Sequence, residues 1–273
     1  MLEQARTRVE KAWSLLELGR EPESFELLQK VKFLIDQSQQ IVILTGAGIS
    51  TESGIPDFRG PEGIWTKNPD AEKASNINYY ISDPKIREKN WALRAEGKLW
   101  ADVEPNDGHY ALVQLQDRGI LDTVITQNVD ELHQKSGIAE NRVIEIHGTT
   151  RKVTCLSCDY RDEMEVVLER VRAGEADPDC PQCSGILKSA TISFGQSLIP
   201  EDLQRSETAV RNCDLLIAIG TSLAVGPINQ VVPLAYQIGA PIVIINGQKT
   251  EFDHLSTVTI NADISTTLSF VCA

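Results

Sequence analysis

Four of the six cysteines are spaced to bind a single metal ion. They form two Cys-x-x-Cys pairs with 21 residues between them: Cys155 with Cys158, and Cys180 with Cys183. Two such pairs bring four thiolates around one tetrahedral Zn²⁺, and four cysteine ligands leave no coordination position open for a substrate. The spacing therefore predicts one structural zinc ion, with a disulfide pair or a redox site as the alternative. The other two, Cys213 and Cys272, lie in apolar segments and are typical of small core residues.

A glycine-rich segment follows the apolar run IVILT (41–45). Its sequence is GAGIS (46–50). Glycines after a strand let the backbone approach a phosphate closely, and the start of a following helix supplies N–H donors. Thr51 stands where the dinucleotide-binding fingerprint has its third glycine, and a Walker lysine is lacking, so an ordinary tight turn is the alternative. The polar loop SGIPDFRG (53–60) comes next, in which Arg59 could hold a phosphate or ribose and Phe58 could cover a ring.

Side-chain amides and a carboxylate are grouped in TQNVD (126–130), directly after the apolar run LDTVI. Such groups at a strand end can hydrogen-bond a flat amide ligand such as nicotinamide, or they can cap the next helix. Two later segments, GTSL (220–223) and NGQ (246–248), also follow apolar runs. Their small and polar residues can approach ribose and adenine, and ordinary strand-to-helix loops are the alternative.

One histidine is placed to act as a general base. His147 ends the run RVIEI (142–146), where it is expected to point into a cleft, and imidazole titrates near neutral pH. A structural role is the alternative. The other histidines are less well placed, since His109 starts a helical stretch, His133 lies within one and His254 lies in a polar loop.

Short apolar runs without alternation predict the elements that position these residues. Runs of this kind are typical of parallel strands that are covered by helices on both faces. Helical stretches such as 109–119 and 229–239 lie between them. The predicted fold is therefore an α/β, doubly wound parallel (Rossmann-like) sheet, in which ligands bind at the carboxyl ends of the strands. The predicted strands are 41–45, 121–126, 142–146, 190–194, 214–220, 241–246 and 257–262.

Two stretches interrupt this rhythm and predict a smaller inserted lobe with a helical and a zinc-binding module. The lobe comprises residues 61–104 and 149–189, whereas the Rossmann-like domain comprises 39–60, 105–148 and 190–273. Residues 1–38 are predicted to be a helical extension with apolar stripes over 2–16 and 27–35, the second helix being capped by Ser24. The extension packs on the body of the protein or offers a surface for self-association.

The composition bounds the partners. The chain of 273 residues is 41% hydrophobic and has a net charge of −13, which argues against direct nucleic-acid binding because phosphate contacts need clustered lysine and arginine. Its longest apolar runs fall short of the roughly 18 residues that a membrane helix needs, and its start resembles no secretory signal. A reducing, cytoplasmic location without membrane association is expected.

Taken in order, these segments resemble the sirtuin family. The matching motifs are GAGIS (46–50), SGIPDFRG (53–60), TQNVD (126–130), HG (147–148), the two cysteine pairs, FG (194–195), GTSLAVGP (220–227) and IIN (244–246). Members of that family use NAD to remove an acyl group from a protein lysine, giving nicotinamide and O-acyl-ADP-ribose. The resemblance implies NAD as co-substrate, one structural Zn²⁺, and acyl-lysine proteins as substrates.

The resemblance also implies roles for individual residues. His147 corresponds to the catalytic base, and Asn128 and Asp130 complete the catalytic set. The substrate is expected to pair as an added strand with the chain near 194–195 and 223–225. The residues expected to contact NAD are Gly46, Ala47, Gly48, Ser50, Ile55, Pro56, Asp57, Phe58, Arg59, Trp65, Gln127, Asn128, Asp130, Gly220, Thr221, Ser222, Val225, Asn246, Gly247, Gln248 and Ile264.

Three departures from the family pattern concern the substrate rather than the chemistry. Glu131 stands where many relatives have glycine, Gln196 where they have glutamate, and Ser189 where proline is common. The tyrosine and arginine that mark relatives acting on acidic acyl groups are not plainly present, and Trp91 with Arg94 is the nearest match, at shifted positions. Mono-ADP-ribosyl transfer or NAD hydrolysis at the same site is the alternative activity, and an NAD-sensing module without turnover is a third.

Overall fold

The computed structural model describes residues 22–58, 60, 63–67, 75–97 and 103–273, with the backbone alone for residues 22–24 and Trp65. The predicted helix over 2–16 and the predicted NAD contact Arg59 lie outside the described residues.

The described residues contain nine strands in two sheets. Numbered along the chain, they are β1 (Ile41–Thr45), β2 (Leu121–Thr126), β3 (Val143–Glu145), β4 (Gly148–Cys155), β5 (Arg161–Glu163), β6 (Leu187–Thr191), β7 (Leu215–Ile219), β8 (Ile242–Ile245) and β9 (Val258–Ile260). Six of them form a parallel sheet in the order β3-β2-β1-β7-β8-β9. This confirms the predicted doubly wound fold.

The apolar runs form this sheet because both of its faces are covered. Every residue of β1, β7 and β8 is buried. The order of the strands reverses between β1 and β7, so that the chain leaves these two neighbours toward opposite faces. In open α/β sheets this is where a crevice opens at the carboxyl ends of the strands.

Ten α-helices surround the sheets in the described part of the chain. They are α1 (Pro22–Gln37), α2 (Ile64–Lys67), α3 (Ile77–Ser82), α4 (Pro84–Ala95), α5 (Asp107–Asp117), α6 (Leu132–Ser136), α7 (Met164–Arg172), α8 (Pro200–Asn212), α9 (Val231–Gln237) and α10 (Ile264–Val271). Residues of α1, α5 and α10 share one apolar core with the parallel sheet, and residues of α8 and α9 share the other.

The helix α1 confirms one prediction and corrects another. Three residues of the predicted stripe, Leu28, Val31 and Ile35, are inside the core, whereas Leu34 is partly buried and Leu27 is 38% exposed. The helix begins at Pro22 rather than behind a Ser24 cap. Proline is suited to a first helical position because its φ is already helical and the N–H that it lacks would have no helical partner.

The predicted strand over 190–194 is wrong in both extent and sheet. The strand is β6, which pairs antiparallel with β4 in a three-stranded sheet of order β5-β4-β6. Its sequence LKSAT looks polar, but Lys188 is 3% exposed because its ammonium donates to the Thr191 carbonyl at 2.5 Å and to the Ser189 carbonyl at 3.1 Å. The polar side chains of this strand can be buried because they form hydrogen bonds in the folded protein. An apolar sequence pattern therefore does not predict the strand.

The small sheet shares a core with two helices from different parts of the sequence. Trp91 of α4 lies in the same apolar cluster as Val167 of α7 and Val153 of β4. Contacts between the two predicted insertions fit a single lobe, whose boundaries at 61–104 and 149–189 stay a prediction. Among the described residues, no helix combines the length and the apolar character needed to cross a membrane.

Replacing Gly220 with alanine should destabilise the fold where the loops after β1 and β7 touch. Its φ is +60°, and an added Cβ would lie 2.4 Å from the backbone nitrogen of Ile49. We expect a loss of about 2–5 kcal/mol in the free energy of unfolding, from backbone strain and overpacking together. Gly239→Ala is the matched control, because φ there is +77° and no atom lies within 4 Å of the added Cβ. Urea denaturation showing equal losses for the two variants would contradict the close contact at Gly220.

Candidate functional site

Two glycine loops touch at the carboxyl ends of β1 and β7. Gly46 donates its N–H to the Ile219 carbonyl at 3.0 Å, and Gly48 donates to the Gly220 carbonyl at 2.8 Å. A Cβ on Gly48 would lie 2.7 Å from the Gly220 Cα. Glycine is therefore required at position 48 for the contact between the two loops, whether or not a phosphate also approaches it. The chain then turns through a 3-10 segment, Ala47–Ser53, in which Ser50 is buried.

Three predicted site residues form one hydrogen-bonded group beside this contact. The Asn128 amide nitrogen donates to the Gly46 carbonyl at 3.2 Å and to the Ser50 hydroxyl oxygen at 3.1 Å. The Ser50 hydroxyl donates to the Asp130 carboxylate at 2.7 Å. The other Asp130 oxygen accepts from the backbone N–H of Leu132 at 3.1 Å, at the start of α6. The Asn128 amide and the Asp130 carboxylate are thus both held in fixed orientations.

Gln127 links this group to the loop after β7. Its amide nitrogen donates to the Thr221 hydroxyl oxygen at 2.9 Å, and its backbone N–H donates to the Thr45 carbonyl at 2.9 Å. Its carbonyl lies 3.1 Å from Nδ1 of His147. Gln127 therefore contacts the end of β1, the loop after β7 and the candidate base.

The surroundings of His147 fix the state of its ring. A carbonyl oxygen can only accept, so Nδ1 carries the proton that bonds Gln127 and Nε2 of the neutral ring keeps its lone pair. Burial lowers the pKa of His147 below its ordinary value of 6.5, and the bond to Gln127 opposes this in part. The ring is consequently neutral at pH 7 and able to accept a proton at Nε2.

The loop after the 3-10 segment is described in part. Ile55 is buried, Pro56 is exposed and Phe58 is partly buried. The Asp57 carboxylate accepts from the backbone N–H of Gly60 at 2.9 Å, so it closes a turn. The side chain of Trp65 lies outside the described residues.

The predicted adenosine contacts lie around the ends of β7 and β8. Asn246 follows β8 and is held by its N–H to the Ile260 carbonyl at 3.0 Å and by its side chain to the Gln248 carbonyl at 2.8 Å. Thr221 is buried, and Val225 and Ile264 are partly exposed. The remaining members of this group are exposed: Ser222, Gly247 and Gln248.

Three buried polar residues next to the site make hydrogen bonds that the sequence motifs do not predict: Thr45, His109 and His133. His133 is 1% exposed, and its Nε2 lies 2.9 Å from the Thr45 hydroxyl. His109 is 0% exposed and belongs to the cap of α5 with Asn106. This burial makes both histidines unsuitable as a base that reaches a substrate. In the sequence, a histidine among the apolar residues of a helix indicates that its ring is buried.

The four paired cysteines converge on one point. The sulfur atoms of Cys155 and Cys183 lie 3.6 Å apart, those of Cys158 and Cys180 lie 3.7 Å apart, and all four lie within 4.8 Å of one another. Four sulfurs around a zinc ion at about 2.3 Å are about 3.8 Å apart, so the cluster fits a structural zinc ion. Glycine is needed at 185, since a Cβ there would lie 3.0 Å from the Cys155 sulfur.

Cys213 and Cys272 are 8% and 0% exposed in the apolar cores, which confirms them as core residues.

Comparison with known proteins adds sequence relatives. The Sir2 family model matches residues 46–227. A Streptomyces coelicolor protein named NAD-dependent protein deacetylase 2 is 42% identical over 228 residues, which are 84% of this chain and 94% of that protein. A Rhodopseudomonas palustris protein named NAD-dependent protein deacetylase is 42% identical over 237 residues, which are 86% of this chain and 92% of that protein.

Solved structures of Sir2 enzymes share the fold. One has a TM-score of 0.80 at 34% identity and covers 90% of this chain and 96% of its own. Another, a Sir2 variant with a deacetylated peptide and 3′-O-acetyl-ADP-ribose, has a TM-score of 0.80 at 32% identity, with 89% and 96% covered. A third, a Sir2 variant with a peptide and NAD, has a TM-score of 0.78 at 31% identity, with 89% and 96% covered.

Removing one thiolate should remove the metal. We expect one zinc ion per chain in the purified protein, no zinc in Cys155→Ser, and a lower thermal midpoint of unfolding, because metal binding at such a site is coupled to folding. Cys213→Ser removes a buried thiol outside the cluster and should keep the zinc. Elemental analysis that finds no zinc in wild-type protein purified without chelators would refute the site.

Proposed function

The chain belongs to the Sir2 family, and we propose that it is an NAD-dependent protein-lysine deacetylase whose general base is His147. One observation carries the assignment of the base. Nδ1 of His147 is held by the Gln127 carbonyl, which leaves the lone pair of Nε2 available, and the Gln127 side chain bonds Thr221 in the loop after β7. A module that only binds NAD has no use for such a ring.

The residues around the crevice fit a dinucleotide. The contact between Gly48 and Gly220 puts the start of the 3-10 segment at the switch point, where glycines let the backbone approach a diphosphate closely. Exposed hydroxyl and amide groups on Ser222 and Gln248 lie on the β7 and β8 side and suit an adenosine. The fixed Asn128 amide and Asp130 carboxylate lie on the β2 side and suit the nicotinamide riboside.

NAD supplies the ADP-ribosyl group that receives the acyl group as nicotinamide leaves. The protein's own residues bind and orient it. Asn128 and Asp130 are held by Ser50 and Gly46, so they present the same faces before and after a ligand arrives. Such preorganisation avoids reorganisation during the reaction. His147 then accepts a proton at Nε2 from a ribose hydroxyl, which activates that oxygen to attack the acyl carbon.

The peptide is proposed to pair as an added strand with fewer residues than the sequence motifs imply. The backbone N–H and C=O of Phe194 already pair with Ser75 and Ile77 at 3.0 Å each. Leu223 is also engaged, by the Thr221 hydroxyl and the Asn229 amide. Within the described part of the chain, the backbone of Gly195 has no such partner and is the free edge on its side. We therefore assign Gly195 rather than Phe194 to the substrate strand.

The assay that tests the function uses acetyl-lysine peptides with and without NAD. We expect free lysine, nicotinamide and O-acetyl-ADP-ribose in equal amounts, and no reaction without NAD. A panel of longer and acidic acyl groups defines the acyl class. Transfer of label from NAD to the protein acceptor in place of deacetylation would overturn the proposal in favour of ADP-ribosyl transfer, and nicotinamide release without a peptide would favour NAD hydrolysis.

His147→Ala should lose deacetylation by about two to four orders of magnitude, the typical contribution of a general base. NAD affinity should stay within a few-fold of wild type, because the ring acts after binding. His254→Ala is the matched control, since His254 is exposed in a turn beyond β8. Initial rates, with NAD affinity from calorimetry, give the comparison. A His147→Ala variant with near-normal rates would refute the assignment.

The pH profile of the wild-type enzyme should follow the lowered pKa of His147. Activity needs the neutral ring, so it should be constant near pH 7 and fall on the acid side as the ring protonates. Because burial lowers the pKa of His147, that fall should lie below the ordinary value of 6.5. Measured kcat against pH gives its position. A limb at or above pH 7 would contradict a buried, neutral base.

A further inference from the structure

Two buried histidines lie behind the glycine loops without touching the crevice. His109 and His133 have their ring centroids 5.1 Å apart and belong to α5 and α6. Each has one buried ring nitrogen without a hydrogen-bond partner among the described residues: Nε2 of His109 and Nδ1 of His133. Burial lowers the pKa of His109 to about 3 and that of His133 to about 4, so both rings are neutral.

A chain of hydrogen bonds runs from His133 to the site. Its Nε2 lies 2.9 Å from the Thr45 hydroxyl, which donates to the Thr126 hydroxyl oxygen at 2.8 Å. The Thr126 oxygen also accepts from the backbone N–H of Asn128 at 3.1 Å. Because the Thr45 proton goes to Thr126, Nε2 of His133 is the donor to Thr45 and Nδ1 keeps the lone pair.

A second chain runs from His109 to the same glycine loop. Nδ1 of His109 lies 3.3 Å from the backbone nitrogen of Asn106 and 3.1 Å from its side-chain oxygen, so the ring is held by Asn106 in the cap of α5. The Asn106 amide nitrogen donates to the Ile49 carbonyl at 2.8 Å and to the Ser53 hydroxyl oxygen at 3.0 Å. The ring centroids of His109 and His133 lie 5.1 Å apart, so the two chains of hydrogen bonds meet at the histidine pair.

We propose that His133 is a positioning residue that sets the place of Asn128 through Thr45 and Thr126. The Asn128 side chain returns to Gly46, where the segment held by Asn106 begins. The circuit thereby encloses the 3-10 segment and ties that segment and Asn128 to the histidine pair. This inference rests on the proposed function only in assigning NAD to the crevice.

NAD affinity is the readout, because it can be measured whether or not the chain deacetylates. Thr126→Val removes the acceptor of the Asn128 N–H, and His133→Leu removes the donor to Thr45. Losing one such hydrogen bond corresponds to about a tenfold change in Kd. We expect each variant to bind NAD about tenfold more weakly by calorimetry, and the double variant to be within about twofold of the single ones, since residues in one network are not additive.

Rescue separates positioning from loss of a packed side chain. His133→Gln keeps an amide nitrogen at the reach of Nε2 and should restore NAD affinity to within about threefold, whereas the shorter His133→Asn should not. Ser206→Ala is the matched control, because it removes a buried hydroxyl bond to the Asp202 carbonyl in α8, away from the circuit. It should lower stability in urea and leave the Kd for NAD unchanged.

The outcomes divide clearly. A double variant weakened about a hundredfold, or variants that lose stability but bind NAD normally, would overturn the positioning role and leave the proposed function intact. Should Thr126→Val fail to fold, equal NAD affinity in His133→Gln and His133→Asn would overturn it as well. A wild-type chain that binds no NAD would instead overturn the proposed function, and the positioning role with it.

Discussion

The contact between the backbones of Gly48 and Gly220 is the constraint on which the site depends. Two parallel neighbours, β1 and β7, send the chain to opposite faces of the sheet, and their loops can meet only if neither carries a side chain at the crossing. Once the loops meet, Gly46 and Gly48 bond to the end of β7, and the 3-10 segment begins there. The amide of Asn128 and the hydroxyl of Ser50 are then set against a rigid backbone rather than a mobile loop.

The strand β4 explains how a metal that takes no part in the chemistry can still matter to it. Its first residue follows His147, and its last residue is the metal ligand Cys155. Between these ends, the Thr150 hydroxyl donates to the Val129 carbonyl at 2.7 Å, and Arg151 pairs with Glu131 at 3.3 Å. One strand thus fixes the segment that carries Asn128 and Asp130. A zinc ion that orders the far end of β4 acts on the crevice through geometry alone.

Much of the fold could be predicted because its signals are local. Continuous apolar runs give the six parallel strands, and cysteine spacing gives the metal site. The strand β6 could not be predicted from the sequence, because Lys188 and Ser189 are buried with the help of hydrogen bonds that form only in the folded protein. The contact that requires glycine at 48 could not be predicted for a similar reason, because the atoms that it meets belong to residue 220. A residue's partner across the sheet is not written beside it in the sequence.

Two of the departures from the family pattern, Glu131 and Gln196, make contacts of their own in this structure. Glu131 has a left-handed φ of 66°, a conformation that glycine adopts freely and that costs a residue with a side chain about 1–2 kcal/mol. The Glu131 carboxylate lies 3.3 Å from Arg151, which also bonds Glu145 at 3.1 Å, so Glu131 makes an ion pair that a glycine could not make. Gln196 likewise accepts from the Ser193 N–H at 2.9 Å through its amide oxygen, a bond that a glutamate oxygen would make equally well. Neither change touches Asn128, Asp130 or His147. In this chain both side chains therefore hold neighbouring groups in place, Glu131 through Arg151 and Gln196 through the Ser193 N–H.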